Sequence, residues 1–374
     1  MITAHSAVFM HFIHADPDWP NFLWNAEALS TSLAAMRFRQ GQLLGRMSTL
    51  APELRAQASL TTLTSDVVQS SALGGESLPP DEVRSSIARQ LGLETAGLPQ
   101  SGRGVDGMVE MMLDATQRHT KPLTRQRLFS WHTALFPTGH SGTHRITTGA
   151  WRTAKSGLAR VVSGPVGRER VHFEAPDAAR IDTEMAAFLE WFNSAPTIDP
   201  VLVAGTAHLW FVTIHPFEDG NGRIARAIAD MALARADGMH ERFYSMSTRI
   251  QTECKAYDQR LQATQRGDLD ISAWLEWFIA CLDRAIADAD TALAGVLQRA
   301  DFWQRAQRHT LNERQRLVLE RMSATFEGLL TNSKYAALAK CSPDSALRDI
   351  RELVEWGLLA RNTSGGRSTS YRLA

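Results

Sequence analysis

The chain has 374 residues, with 40 Lys and Arg against 40 Asp and Glu and a formal net charge of zero. That length suggests two or three domains with a sizeable core, and 44% hydrophobic with 21% charged residues argues against extensive disorder. The even balance excludes binding of nucleic acid or anionic membrane by bulk charge. Five of the 40 basic residues are Lys and 35 are Arg, so charge-specific chemistry falls mostly to guanidinium groups. Cys254, Cys281 and Cys341 are odd in number and far apart, the start Met1–Trp19 has no basic leader, and the apolar stretch Val201 to Ile214 is too short to span a bilayer. A reduced, cytoplasmic protein with no membrane partner is expected.

In chain order, Phe12–Phe22 is an aromatic stretch whose Trp19 and Phe22, with Trp24, read as a packing staple. Trp24 to Leu60 reads as one or two amphipathic helices, with Leu29, Leu33 and Met36 and then Leu43, Leu44 and Met47 at helical spacing. Pro79-Pro80-Asp81 opens a helix through Val83, Ile87 and Leu91 that stops at Gly92. Residues Leu98–Gly104 form a loop, and helices follow at Met108–Gln117 and Arg125–Leu135 before an irregular stretch over 136–150. Arg160–Phe173 has short β-branched runs around a Gly-Pro turn, the pattern of a hairpin. Helices resume at Ile181–Phe192, from Asp199-Pro200 to Ile214, from Ile224 to Ala236, and over the Trp-rich residues 271–310. The fold class is mainly α.

Residues 215–226 carry the chemistry: His-Pro-Phe-Glu-Asp-Gly-Asn-Gly-Arg-Ile-Ala-Arg, between two helices. Gly220-Asn221-Gly222 can turn successive N–H groups into one concavity, which with the following helix N-terminus makes an anion nest. Arg223 and Arg226 share a helix face and are placed for further phosphate oxygens. Asp219 can hold Mg²⁺, and His215 is a candidate general base. An EF-hand fails because its first and last ligand positions would be Phe217 and Ile228. A P-loop fails because no Lys-Ser/Thr follows the glycines. A structural Gly-rich turn explains the glycines but not His, Asp and two Arg at these spacings.

The run matches HPFx(D/E)GNGRxxR at every defined position, and the chain resembles the Fic family over about residues 60–300. The resemblance implies a helical core that transfers AMP from ATP to a Ser, Thr or Tyr hydroxyl of a target protein or of itself. It implies His215 as base, Asp219 on Mg²⁺, Gly220–Gly222 on the α- and β-phosphates, and Arg223 and Arg226 on the outer phosphates. The hairpin corresponds to the family's flap, which registers a target by strand addition; Val161, Val162, Val171 and Phe173 are its docking candidates. Tyr257 resembles an aromatic near the adenine, with a core tyrosine as the alternative. Helical proteins of this family often pair, so a homodimer is an expected partner.

One segment departs from the family. Its inhibitory helix has the pattern (S/T)xxxE(G/N), and the matching run Ser70-Ser-Ala-Leu-Gly-Gly-Glu76 has Gly74 where the Glu belongs. Continued as a helix, Glu76 would lie about 200° around the axis and could not substitute. The expectation is that Arg226 is unpaired and transfer proceeds without relief by a partner. The expected organisation is a helical region at 1–100 with the inhibitory-like segment near 66–77, a Fic core at 101–305, and a winged helix-turn-helix at 311–374. In that tail Leu317–Met322, Ser333–Ala339 and Pro343–Trp356 are the helices, Gly365-Gly366 the wing and Ser370–Leu373 a strand. Arg361, Arg367 and Arg372 suit DNA, whereas Asp349, Glu352 and Glu355 on the third helix suit a protein partner. Rival functions are AMP removal, transfer of another phosphate-containing group, and nucleotide sensing by a DNA-binding regulator.

Overall fold

The structure, a computed structural model, describes residues 12–93, 97–163, 170–194, 197–324, 329–362 and 369–374. The chain forms two compact units, residues 1–289 and 290–374. The first unit holds the helices α1 (Ala26–Ser48), α2 (Pro52–Leu73), α3 (Pro80–Gln90), α4 (Arg103–Gln117) and α5 (Arg125–Leu135). Two short antiparallel pairs follow, β1 (His140–Ser141) with β2 (His144–Arg145), and β3 (Arg160–Ser163) with β4 (Arg170–Glu174). Then come α6 (Ile181–Asn193), α7 (Pro200–Ile214), α8 (Asn221–Asp237), α9 (Met246–Thr252), α10 (Cys254–Gln265) and α11 (Ser272–Ala306), which runs on into the second unit. The expected 1–100 region and most of the expected core thus share one unit, because α2 packs on α4, α8 and α9 and α3 packs on α4.

The centre of this unit is the α7/α8 pair. Every residue of α7 from Val201 to Ile214 is buried, as a helix apolar on all faces requires. Trp19 and Phe22 of the aromatic stretch pack edge-on against Trp210 of α7, and the Trp19 indole donates to Glu184 at 2.8 Å. The break after α1 falls at Thr49–Ala51, where Pro52 opens α2, and α2 runs past Leu60 to Leu73. It ends in a Schellman cap: Gly75 takes a left-handed backbone (φ 81) and the N–H groups of Gly75 and Glu76 reach the carbonyls of Ala72 and Ser71.

The second unit contains α12 (Glu313–Ala324), β5 (Leu330–Thr331), α13 (Asn332–Ala339), α14 (Pro343–Glu355), β6 (Leu359–Arg361) and β7 (Ser370–Leu373). The strands form one antiparallel sheet in the order β5-β7-β6 over a core that includes Val318, Leu319, Tyr335, Ile350 and Leu353. The three expected helices and the last strand are present, and β5 and β6 are additional; the expected wing at Gly365-Gly366, with Arg367, lies outside the described residues. Asp349 corrects the sequence reading. It is 2% exposed and accepts from Arg314 at 2.9 Å, Tyr335 at 3.2 Å and Asn312 at 3.2 Å, so it is an internal tie and not a surface acid. Among the described residues, no helix is long and apolar enough to cross a membrane.

Helix α5 reaches the motif because α4 lets it approach closely. A Cβ at Gly107 would lie 1.8 Å from the Ala134 carbonyl oxygen. Gly107→Ala should therefore destabilise the first unit by about 1–3 kcal/mol, as overpacking does. Gly45→Ala, at an exposed helical glycine with open space around its Cβ, should not lower stability. Denaturant unfolding midpoints of the two variants check this.

Candidate functional site

The motif begins where α7 stops. His215 is its C-cap, in the left-handed conformation (φ 52, ψ 57), one of two non-glycine residues with positive φ among those described. Such a backbone costs about 1–3 kcal/mol and persists where surrounding bonds fix it. Arg152 supplies them. Its Nε donates to the His215 carbonyl at 2.7 Å, its Nη2 to Pro176 at 2.6 Å, and its backbone N–H to Pro216 at 2.9 Å. Arg152 is 3% exposed, and burial draws its pKa down.

The His215 Nδ1 lies 3.3 Å from the Val212 carbonyl, which can only accept. Nδ1 therefore carries the proton and Nε2 keeps a lone pair. Burial, with the nearby Arg152 charge, pulls the imidazole pKa from 6.5 to about 4. At neutral pH His215 is an uncharged acceptor beside a cavity of about 330 Å³, whose walls include Val161, Val162, Phe173, Val212 and Asp258.

The loop after it is closed by Asn221, whose side chain accepts from the Phe217 N–H and donates to the Phe217 carbonyl, both at 2.9 Å. The buried Phe217 ring stacks on His132 of α5 at 4.2 Å. His132 Nδ1 accepts from Gly149 N–H at 3.1 Å and its Nε2–H donates to the Asp219 carbonyl at 3.2 Å. Burial lowers its pKa to about 4, so this clamp stays neutral. Gly220 then takes φ 80, and a Cβ there would meet Phe136 at 2.9 Å. Helix α8 starts with no side-chain cap, leaving the N–H groups of Asn221, Gly222 and Arg223 without intrahelical acceptors.

Around this N-terminus the charges are distributed unequally. The Asp219 carboxylate, 44% exposed, accepts from Gly220 N–H at 2.6 Å and from the Ser141 hydroxyl, and lies 3.8 Å from Arg223. Arg223 donates to Glu76 at 2.6 Å and its guanidinium stands 4.9 Å from the Phe136 ring centroid. Arg226 donates to the Ser70 hydroxyl at 2.9 Å and the Ser70 carbonyl at 2.7 Å, and is buried. A Cβ at Gly222 would meet Arg226 Nη1 at 3.3 Å, so glycine keeps the space between helix end and guanidinium open.

Several expectations are corrected here. Arg226 has no ion pair among the described residues, but it is hydrogen-bonded through Ser70. Glu76 does engage the motif, on Arg223. The helical argument against it fails because α2 has already ended and Gly75 redirects the chain. A Cβ at Gly74 would lie 3.2 Å from Arg223 Nε, so position 74 faces Arg223 before Arg226. Tyr257 is 6% exposed, 2.9 Å from His208 Nε2 and packed with Trp274 and Trp277, a core residue behind Arg226; its neighbour Asp258 lines the cavity. On the hairpin, Val161 and Val162 are about half exposed, whereas Val171 is half-buried and its carbonyl accepts from Arg266. Phe173 is buried against Phe12, so the aromatic stretch props the hairpin from beneath, and Phe173 forms part of the wall of the His215 cavity. His132, Arg152 and Asp258 were not legible as site residues, since each arrives from outside the motif with no spacing that marks it.

One motif of this helical fold thus joins the half-buried His215 to the uncapped start of α8 and its two arginines. Comparisons with known proteins match the same stretch. The Fic/DOC family model matches residues 122–233, and a model described as a domain of unknown function, DUF4172, matches residues 12–93. The first of these spans the whole 215–226 motif, and over that stretch the chain is similar to the Fic/DOC family. It is 33% identical over 95 residues to a protein adenylyltransferase of Caenorhabditis elegans, covering 25% of this chain and 18% of that one. It is 31% identical over 113 residues to one from Nematostella vectensis, covering 30% and 25%. The chain thus spans a quarter or less of the length of these relatives. A crystal structure of a Fic family protein from Desulfovibrio desulfuricans shares the fold with a TM-score of 0.51 at 20% identity, covering 92% of this chain and 96% of that one. A Fic domain protein from Bacteroides thetaiotaomicron matches with TM-score 0.51 and 20% identity, over 71% and 97%.

Glu76 neutralises part of the charge that Arg223 offers an anion. Glu76→Ala should bind pyrophosphate about two- to fivefold more tightly, the scale of one partly exposed ion pair. Calorimetric titration of the two proteins checks it.

Proposed function

We propose that this protein transfers AMP from ATP to a Ser, Thr or Tyr hydroxyl of a target protein, its own chain included. The observation that carries this is the neutral His215, locked as its Nδ1–H tautomer at the left-handed end of α7, beside the uncapped start of α8. The α- and β-phosphates lie on the N–H groups of Asn221 and Gly222, with Arg223 and Arg226 neutralising the outer charge. His215 Nε2 takes the proton of the acceptor hydroxyl, the oxygen attacks the α-phosphorus, and pyrophosphate leaves. Asp219 suits Mg²⁺, since it offers an exposed hard oxygen where that ion needs one or two carboxylates beside phosphates. When bound, Mg²⁺ would neutralise phosphate charge.

Incubation with ATP labelled at the α- or γ-phosphate tests the reading: label from α alone is expected, and label from γ would mean a kinase. His215→Ala should cost about 10²–10⁴ in rate. Because its pKa is lowered, the base form persists as pH falls below 6.5 and is lost only through about 4. The acid limb of kcat/KM should therefore fall near pH 4, and a limb near 6.5 would mean that burial does not lower the imidazole pKa.

The same reading makes Gly74 the permissive residue at the end of α2. Gly74→Glu places a carboxylate against Arg223, where even its Cβ is tight, and should reduce self-labelling from α-labelled ATP severalfold. Equal labelling would remove the role of Gly74. For residues 311–374 we keep the winged-helix reading, three helices with an antiparallel sheet whose β6 and β7 carry Arg361 and Arg372. A gel shift at low salt that is lost as salt rises would make DNA its partner.

A further inference from the structure

Beyond β3 the motif borders a second cavity, of about 850 Å³, whose walls include Arg145, Thr147, Arg152, Lys155, Ser156 and Glu218. Its charges do not cancel locally. Glu218 is occupied, with Oε1 accepting from Ser156 Oγ at 2.6 Å and Oε2 from Thr147 N–H at 3.1 Å. Burial would raise its pKa, but these hydrogen bonds override that and hold it below the ordinary carboxylate value. Arg152 gives its donors to the carbonyls of His215, Pro176 and Ile214. Arg145 and Lys155 are exposed, and neither is in an ion pair among the described residues. The walls thus present two free cations above a lining of hydroxyls.

The position of this cleft gives it a use. Gly157 and Ala159, also in its wall, lead directly into β3 at Arg160. Among the described residues β3 pairs with β4 alone, so its other edge offers backbone groups to a further strand. Val161 and Val162 of the same strand line the cavity that holds His215. A chain laid along that edge passes the base at one end of β3 and enters the cationic cleft at the other.

Resting on the transfer reading above, we propose that this cleft selects the target: it takes acidic side chains of the acceptor segment, lying about two to five residues along an extended strand from the modified hydroxyl. The two lateral cations set the register of the segment, and the strand edge supplies affinity that is independent of sequence.

The test uses the full chain and three extended peptides, each with a central Thr and Tyr, flanked on both sides by Glu, Ala or Lys. Binding is followed by fluorescence anisotropy without nucleotide, and AMP transfer by mass with ATP and Mg²⁺. The Glu peptide should bind about five- to tenfold more tightly than the Ala peptide, with the Lys peptide weakest and the differences shrinking as salt rises. In Arg145→Glu/Lys155→Glu the order should invert, while ATP binding measured without peptide stays unchanged. Equal binding of the three peptides, no measurable binding of the Glu peptide, or a preference that survives the double reversal would overturn the proposal. Failure of the transfer reading is seen separately, as absent self-labelling in the parent protein with the binding order intact.

Discussion

The whole site hangs on one strained residue. His215 can face the start of α8 only if the chain turns through the left-handed region at the end of α7, and the cost of that turn is met by Arg152. A buried arginine bound to three carbonyls is an unusual tie, since it brings in a charge that forms no ion pair among the described residues. That charge has a second effect, for it helps to keep the neighbouring imidazole neutral. The residue that shapes the turn therefore also sets the protonation state that a base requires.

Around that turn the motif is held by neutral partners. Asn221 closes the loop on Phe217, Phe217 stacks on His132, and His132 fixes Asp219 through its carbonyl, leaving the carboxylate outward. The backbone nest thus owes its shape to groups that do not titrate near neutrality. The ionised side chains of Asp219 and Arg223 stand outside that framework.

Much of this was legible in the sequence, and the limits have physical causes. The motif residues 215–226 are local, so their spacing specified both the turn and the helix start. The hairpin and most helices followed from periodicity. What could not be seen came from distant chain: Arg152 and His132 reach the motif across 63 and 87 residues of separation. Glu76 was visible but misjudged, because its reach depended on where α2 stops, and a left-handed Gly75 changes direction where helical extrapolation continues straight. Tyr257 and Asp258 show a similar sensitivity, since neighbouring residues on α10 face core and cavity. Asp349 looked like a surface acid because its partners Arg314 and Tyr335 lie on other elements.

The end of α2 holds the two motif arginines by different physics. Arg226 is gripped by the hydroxyl and carbonyl of a fully buried serine, groups that bear no net charge. Arg223 is gripped by a half-exposed carboxylate. Ionic strength weakens the second hold and leaves the first untouched. One helix terminus therefore gives this pocket two independently adjustable cations, one sensitive to the surrounding electrolyte and the other to the position of the helix itself.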